Sequence, residues 1–363
     1  MPMLRTLTQS DLPGVASLFE RVYPQYRWKS RPAFEGYCRD MLFANPWRDL
    51  DLPSWIAEED DGRITGMIAV LPRPMRFRGR SIRVAVPCQF MVDPDKRNTL
   101  TALQLMKKVA AGPQDLTLAD GANDMARRMW MGLGAVTPPL YNLHWVRPLR
   151  PMRYGLALLP RKALPAPIRL PAKPLAAVAD AFAARLGPNR FLSEEDGLSE
   201  HPIDAGTMLE HLPELMNGHA LQPNYDMRAL PWLIDQTGRK ARHGRLRSRA
   251  VLDTKRELLG WYLYYAKPGD VSEVVQITAR KGAFDRVLQH MLADAWKQGA
   301  VAARGRLEPQ HVKEFSDRHC FFRQESPSTV VYSKDPELMA AIQSGDAVLG
   351  RLEGEWWLRF QGG

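Results

Sequence analysis

The chain is poor in the residues that build disulfide scaffolds, metal centres and membrane spans. Its 363 residues include three cysteines, Cys38, Cys88 and Cys320. They are too few and too scattered for a disulfide framework, a CxxC redox pair or a zinc knuckle. The eight histidines form no HxxxH or HExxH spacing, and neither His211/His219 nor His311/His319 makes a ligand pattern, so no metal is expected. Long apolar runs are missing as well. The run from Ile64 to Leu71 is interrupted by Thr65 and Gly66 and is far too short to cross a bilayer. The opening MPMLRTLTQSDLPGVASLF lacks the apolar stretch of a signal peptide. A cytoplasmic protein with no transmembrane segment is the expectation.

What is present is ordinary globular composition, 45% hydrophobic and 25% charged, which excludes a disordered or fibrous class. The length suits two domains of roughly 150–180 residues, each able to bury a core. Acid is scarcer than base, 40 Asp+Glu against 50 Lys+Arg, for a formal charge of +10. Such a surplus serves nucleic acid, acidic lipid, a phosphorylated cofactor or solubility alone.

Proline divides the chain. Seven of the 29 prolines fall at 148, 151, 160, 165, 167, 171 and 174. They are accompanied by Arg150, Arg153, Arg161, Lys162, Arg169 and Lys173 with no acid. The stretch reads as an extended linker, or as a basic arm for a phosphate surface. Pro174–Leu186 then reads as a short amphipathic helix.

Before the linker, the pattern predicts strand Met3–Leu7, a helix capped near Ser10, and a helix from Arg31 to about Phe43. A hairpin follows, Ser54–Glu58 and Ile64–Leu71 about the turn at Asp60-Asp61-Gly62. Strand Ser81–Val92, helix Thr101–Ala110, strand Asp115–Ala119, helix Ala122–Met131 and strand Leu143–Val146 complete a mixed α/β sheet. The long central strand runs straight into a helix, a junction where free helix N–H groups suit phosphates.

Four stretches of this half resemble the GNAT superfamily of acyl-CoA-dependent N-acyltransferases. Leu4-Arg5-x-Leu7-Thr8-x-x-Asp11 is similar to the family's first strand and helix, and Trp55–Val70 to its second and third strands. Val92-Asp93-Pro94-x-x-Arg97 stands at the end of its fourth strand, and Ala122-Asn123-x-x-Ala126-x-x-x-Trp130-x-x-x-Gly134-Ala135 has the spacing of its next helix. The resemblance covers roughly residues 3 to 147. It implies acetyl-CoA or a longer acyl-CoA as co-substrate, held by Met91, Val92, Arg97, Asn98, Thr99, Leu100, Thr101 and Ala102, with Asn123 on a pantetheine amide.

Two departures stand out. The family's loop reads Arg-Gly-x-Gly-x-Gly/Ala, whereas here Asn98 and Leu100 occupy two glycine positions, which hinders close approach of a pyrophosphate. Trp130 stands where many members have a tyrosine that protonates the leaving thiolate, and an indole has no proton to give in the useful range. Trp130 therefore reads first as core packing and Asn123 equally as a helix N-cap. Cys88, with no histidine near it in sequence, reads as buried.

The second half repeats the theme faintly. Tyr225–Ile234 resembles a pre-sheet helix, Arg245–Asp253 and Leu258–Ala266 two strands, and Val271–Ala279 a central strand. Helix Phe284–Gln298 and strand Gly299–Leu307 follow. The expected fold is thus a mixed α/β pair of tandem GNAT-like domains, 1–147 and 219–363, joined by a Pro-rich basic connector at 148–218. Duplicated folds of this kind include Fem-type transferases that use aminoacyl-tRNA. The basic run Arg239–Arg249, six Lys/Arg in eleven residues, is either a charge-protected edge strand or a phosphate contact, to a cofactor or to tRNA.

Direct amine acylation needs a base for the ammonium proton and a donor for the thiolate. Glu273, on the second half's central strand, is named first, with Tyr141 and Tyr264 beside it and Asp93 and Asp120 as weaker options. The reading is acyl transfer to a small-molecule amine or sugar amine. Its rivals are an aminoacyl-tRNA-dependent transferase and an inactive binding module.

Overall fold

The computed structural model describes residues 2–26, 28–96, 100–159, 174–181, 197–216 and 218–358. In chain order the elements are β1 Met3–Thr6, α1 Leu12–Val22, α2 Arg31–Leu42, β2 Trp55–Glu58, β3 Ile64–Phe77, β4 Arg80–Val92, α3 Thr101–Ala110, β5 Leu116–Ala122, α4 Asp124–Gly132 and β6 Leu143–Pro148. Then come α5 Pro151–Leu158, α6 at 174–181, β7 Ser199–Pro202, α7 Ala205–Leu215, β8 Leu221–Pro223, α8 Leu230–Gly238, β9 Arg245–Leu252, β10 Leu258–Ala266 and β11 Val271–Ala279. The chain continues through α9 Phe284–Lys297, β12 Ala302–Arg306, α10 Val312–Asp317, β13 Phe321–Gln324, β14 Ser328–Tyr332 and α11 Pro336–Gln343.

Local chemistry explains the boundaries. Ser30 accepts the amide of Ala33 and so starts α2, with Pro32 inside the first turn where no donor is lost. Thr8 and Asp11 bond each other's backbone as a capping box ahead of α1. α9 buries Val287, Leu288, Met291 and Leu292, which recur at helical spacing along one stripe.

The elements form two compact units that are not contiguous in sequence. One comprises Met1–Asn142, Gly218–Arg242 and Glu325–Gly363; the other comprises Leu143–Asn217 and His243–Gln324. The first holds a seven-stranded mixed sheet, β1-β2-β3-β4-β5-β14, with β8 pairing β3. Its core joins Ile68, Val70, Ala85, Leu105, Met106, Val109, Trp130 and Val330. The second holds a seven-stranded mixed sheet, β13-β6-β12-β11-β10-β9-β7. Its core is built around Trp145, Tyr262, Phe284, Leu288, Met291 and Phe315.

This division departs from the consecutive segments 1–147, 148–218 and 219–363. The strand at 143–148 pairs with β12 and β13 of the second sheet, not with the first. The helix anticipated at Tyr225–Ile234 begins at Leu230 and belongs to the first unit. The Pro-rich stretch is not extended throughout, because Pro151 opens α5 from the N1 position, where a missing N–H costs nothing. Residues 160–173 and 182–186 of the linker and its helix lie outside the described residues.

Candidate functional site

Both sheets carry the same irregularity at their centre. In the first unit β4 runs antiparallel to β3 over nearly its whole length but parallel to β5 only at Val84↔Leu116 and Ala85↔Thr117. Beyond that point the two strands share no ladder pairs, and the edge of β4 from Val86 to Val92 opens. Within the opening the β3–β4 register slips, Met67 facing Met91 and Ala69 facing Cys88, so Gln89 and Phe90 together oppose Ile68. Gln89 has φ +50°, left-handed for a residue with a Cβ, and holding it there costs about 1–3 kcal/mol. A bulge of this kind leaves backbone polar groups outside the ladder, free to meet a ligand.

In the second unit β11 repeats the pattern. It pairs parallel with β12 only from Val271↔Ala302 to Glu273↔Arg304, and its register with β10 slips between Leu263 and Tyr264.

What surrounds the two bulges differs. In the first unit, partners Arg73↔Val84, Leu71↔Val86 and Ala69↔Cys88 share one face of the sheet. On that face the Gln89 amide donates to Tyr37 Oη at 2.8 Å. Tyr37 packs on Trp28 with ring centroids 4.9 Å apart. Trp28 and Phe34, with Phe19 and Tyr26, line a cavity of about 410 Å³ between α1 and α2.

Toward β5, Asp120 is 2% exposed. Its carboxylate accepts the backbone N–H of Glu355 at 2.6 Å. A Cβ at Gly354 would overlap that carboxylate, so only glycine lets this turn close on Asp120. The thiol of Cys88, beside the bulge, is pushed up by burial and by the charges of Glu355 and Asp120, with Arg73 opposing. Two carboxylates therefore act on the residue next to the bulge, and Cys88 stays a neutral buried thiol rather than a nucleophile.

The residues singled out from sequence fall in several places. Met91 is buried and Val92 half-buried at the open end of β4; Leu100 is exposed, and Thr101 and Ala102 begin α3. Arg97, Asn98 and Thr99 lie outside the described residues. Asn123 accepts the Ala126 amide at 2.9 Å as the N-cap of α4. Trp130 is buried in the core of the first unit.

Tyr141 is buried, donating to the Ala347 carbonyl at 2.6 Å and accepting its amide at 3.0 Å. Glu273 sits where β11 and β12 are still paired, and its carboxylate is held by the Arg304 guanidinium. Tyr264 donates to Asp294 at 2.8 Å, inside a network with Arg247, Tyr262 and Glu200. Burial and the Asp294 charge hold both tyrosine hydroxyls far above their ordinary range. Asp93 is buried against Arg21 at 2.8 Å. Of the carboxylates weighed from sequence, Asp120 is the one whose charge reaches Cys88, beside the bulge of β4.

The basic run is largely spoken for. Arg247 pairs with Asp294 and Glu200, Arg249 with Glu200, and Arg239 with Asp235. Among the described residues no group of His, Cys, Asp and Glu is arranged to hold a metal, and no helix is long and apolar enough to cross a membrane.

The stretch that holds the long bulged strand and the helix at its end is matched by a family model. The acetyltransferase (GNAT) domain model matches residues 3–113. The likeness to that domain is thus carried by the first 113 residues. The match ends before β5, yet solved structures extend the likeness over nearly the whole chain. A probable N-acyltransferase of Enterococcus faecalis superposes with TM-score 0.60 at 8% identity, covering 92% of this chain and 73% of that one. A GCN5-related N-acetyltransferase of Anabaena variabilis gives TM-score 0.60 at 9% identity with the same coverage. The N-myristoyltransferase of Saccharomyces cerevisiae with bound myristoyl-CoA gives 0.51 at 12%, over 91% and 78%. No curated protein matches the sequence. At these identities the structures share the fold, and the GNAT-like form of both units rests on their common strand geometry.

Proposed function

We propose that the first unit transfers an acyl group from an acyl-CoA to the amine of a small molecule. The observation that carries this reading is the pairing of an open, bulged β4 with a buried carboxylate, Asp120, on the face where Cys88 and Gln89 stand. The second unit has the splay and the bulge, but its carboxylates Glu273 and Asp294 are engaged by arginines.

The residues fit a CoA thioester. The unpaired edge of β4 from Val86 to Val92 offers backbone donors and acceptors to an extended amide-bearing arm, ending at Met91 and Val92. Leu100, Thr101 and Ala102 open α3, whose first N–H groups suit a pyrophosphate. When bound, the thioester supplies the activated acyl carbon. The chain's own work is then to orient and to move a proton. Backbone groups freed at Gln89 and Phe90 polarise the acyl carbonyl, and the strain stored there keeps them aimed. Asp120, fixed by the Glu355 N–H, takes the proton of the attacking amine.

Replacing Asp120 with Asn keeps the hydrogen bond to Glu355 but removes the base. Acyl transfer, followed as release of free CoA thiol from acetyl-CoA over a panel of amines, is expected to fall about 10²–10⁴-fold in kcat. Acyl-CoA binding should be unchanged. An Asp120→Asn variant with undiminished kcat would remove Asp120 from the mechanism, and a wild-type protein that binds no acyl-CoA would remove the function. Co-purification of tRNA would favour the aminoacyl-tRNA alternative.

A further inference from the structure

One buried cation of the first unit has no hydrogen-bonded counter-charge among the described residues. Arg73 projects from the middle of β3 on the face that carries Cys88, and it is 3% exposed. None of its three guanidinium nitrogens meets a hydrogen-bond acceptor among the described residues. The group is instead flanked by two indoles, 4.9 Å from the Trp47 ring and 4.9 Å from the Trp357 ring. Ring contacts of this kind occupy the faces of a guanidinium and leave its in-plane donors for an acceptor that has lone pairs.

The local acids do not fill that role. Glu353 accepts the hydroxyl of Tyr225, and Asp120 accepts the Glu355 amide. Both are close enough to act on Arg73 electrostatically, as are Tyr225 and Cys88, yet burial still pulls the guanidinium down to about 10. A buried charge without a hydrogen-bonded counter-charge is among the costliest arrangements in a fold, unless something that binds completes it.

We propose that Arg73 receives a carboxylate of the acceptor, so that the site takes an amine that also bears a carboxylate, as an α-amino acid does. The inference rests on the first unit being the acyl-transfer site. It uses the two ends of one sheet face: the ammonium goes to Asp120, which takes its proton, and the carboxylate makes charge-assisted bonds to the Arg73 fork. Trp357 lies on the coil beyond α11, and its indole donates within its own segment to the Gly354 carbonyl at 2.7 Å. Its ring lies against the guanidinium, which places an intrinsic fluorophore at the site.

Binding tests this independently of catalysis. The full-length protein is titrated by calorimetry with matched pairs: phenylalanine and phenethylamine, tryptophan and tryptamine, lysine and cadaverine. At least one amino acid is expected to bind about 10- to 100-fold more tightly than its decarboxylated partner, with a change in tryptophan emission for the non-fluorescent pairs. Arg73→Gln should abolish the difference and Arg73→Lys retain part of it. Equal affinity within every pair, no binding by any member, or discrimination that survives in Arg73→Gln overturns the proposal. If Arg73→Gln fails to fold, the wild-type pairs decide alone. If the pairs discriminate but no acyl-CoA donates to any of them, the acyl-transfer reading fails while the carboxylate receptor stands.

Discussion

Removing the Asp294 carboxylate should destabilise the second unit without touching the chemistry of the first. Asp294 accepts Arg247 Nε at 2.8 Å and Nη2 at 2.9 Å, Tyr264 Oη at 2.8 Å and Tyr262 Oη at 3.3 Å. Its side chain is 7% exposed and that of Arg247 13%. At 2.8 Å and an effective dielectric near 20, the Coulomb attraction is about 6 kcal/mol. Desolvation offsets much of that in the intact pair.

Truncation is another matter, since it takes the acceptor from the Tyr264 hydroxyl and leaves Glu200 to hold both Arg247 and Tyr262 in a nearly dry layer. Asp294→Ala should therefore cost about 3–5 kcal/mol. Tyr264→Phe, which removes one hydroxyl from a carboxylate that keeps Arg247, should cost about 0.5–1.5 kcal/mol. Urea unfolding followed by far-ultraviolet circular dichroism reads both values. The double variant Asp294→Leu/Arg247→Met, apolar on both sides, should recover most of the loss. The reasoning fails if Asp294→Ala unfolds at the wild-type urea midpoint, or if the double variant is no better than the single one. It fails differently if Tyr264→Phe abolishes acyl transfer at full stability, for then the hydroxyl is catalytic rather than structural.

Asn123→Ala removes the N-cap of α4 and should cost about 1 kcal/mol in urea unfolding with KM for acetyl-CoA unchanged; a raised KM at unchanged stability would assign Asn123 to the pantetheine arm instead. The Arg5 guanidinium holds the Asp11 carboxyl down at about 2, from an ordinary 3.8. Because the folded value is depressed, its contribution is full above about pH 4 and is lost as pH falls toward 2. Arg5→Met should flatten that part of the stability–pH curve, measured by thermal melts, and an unchanged acid limb would discount the pair. A fragment ending at residue 147 should show no cooperative unfolding transition, since it lacks β14, whose Val330 is in the first core; a sharp melt from that fragment would refute the exchanged-strand reading.

Elements whose residues are repeated at a clear period were legible from sequence. Thr101–Ala110, Leu258–Ala266 and Val271–Ala279 fall where their patterns place them. β3 did not stop at Leu71, because Pro72 and Pro74 sit inside it and the strand still continues to Phe77. That extension is what carries Arg73, which a strand ending at Leu71 leaves outside the sheet. Asp120 was weighed from its place near the second parallel strand. Glu355 and Trp357 could not be assigned, since nothing local says where the coil beyond α11 packs. The only signal was the density of Arg351, Glu353, Glu355, Trp356 and Trp357 in one short run, more charge and aromatic surface than a solvated tail needs.

The exchange of strands explains why the tandem form is faint in sequence. Each sheet carries an antiparallel strand beyond the parallel pair at its splay. In the first unit that strand is β14, paired to β5 at Val330↔Ala119 and Val331↔Leu118. In the second it is β6, paired to β12 at Arg304↔Val146 and Gly305↔Trp145. Each strand comes from the sequence half that the other unit dominates, so a comparison that walks through one half at a time finds each domain one strand out of order. The consequence for function is local to the first unit. β14 is followed there by α11 and by the coil that sets Gly354 and Glu355 on Asp120 and Trp357 on Arg73. The returning strand thus delivers the residues that close the acceptor face, and the distance in sequence between β4 and Glu355 is the cost of building one site from both ends of the chain.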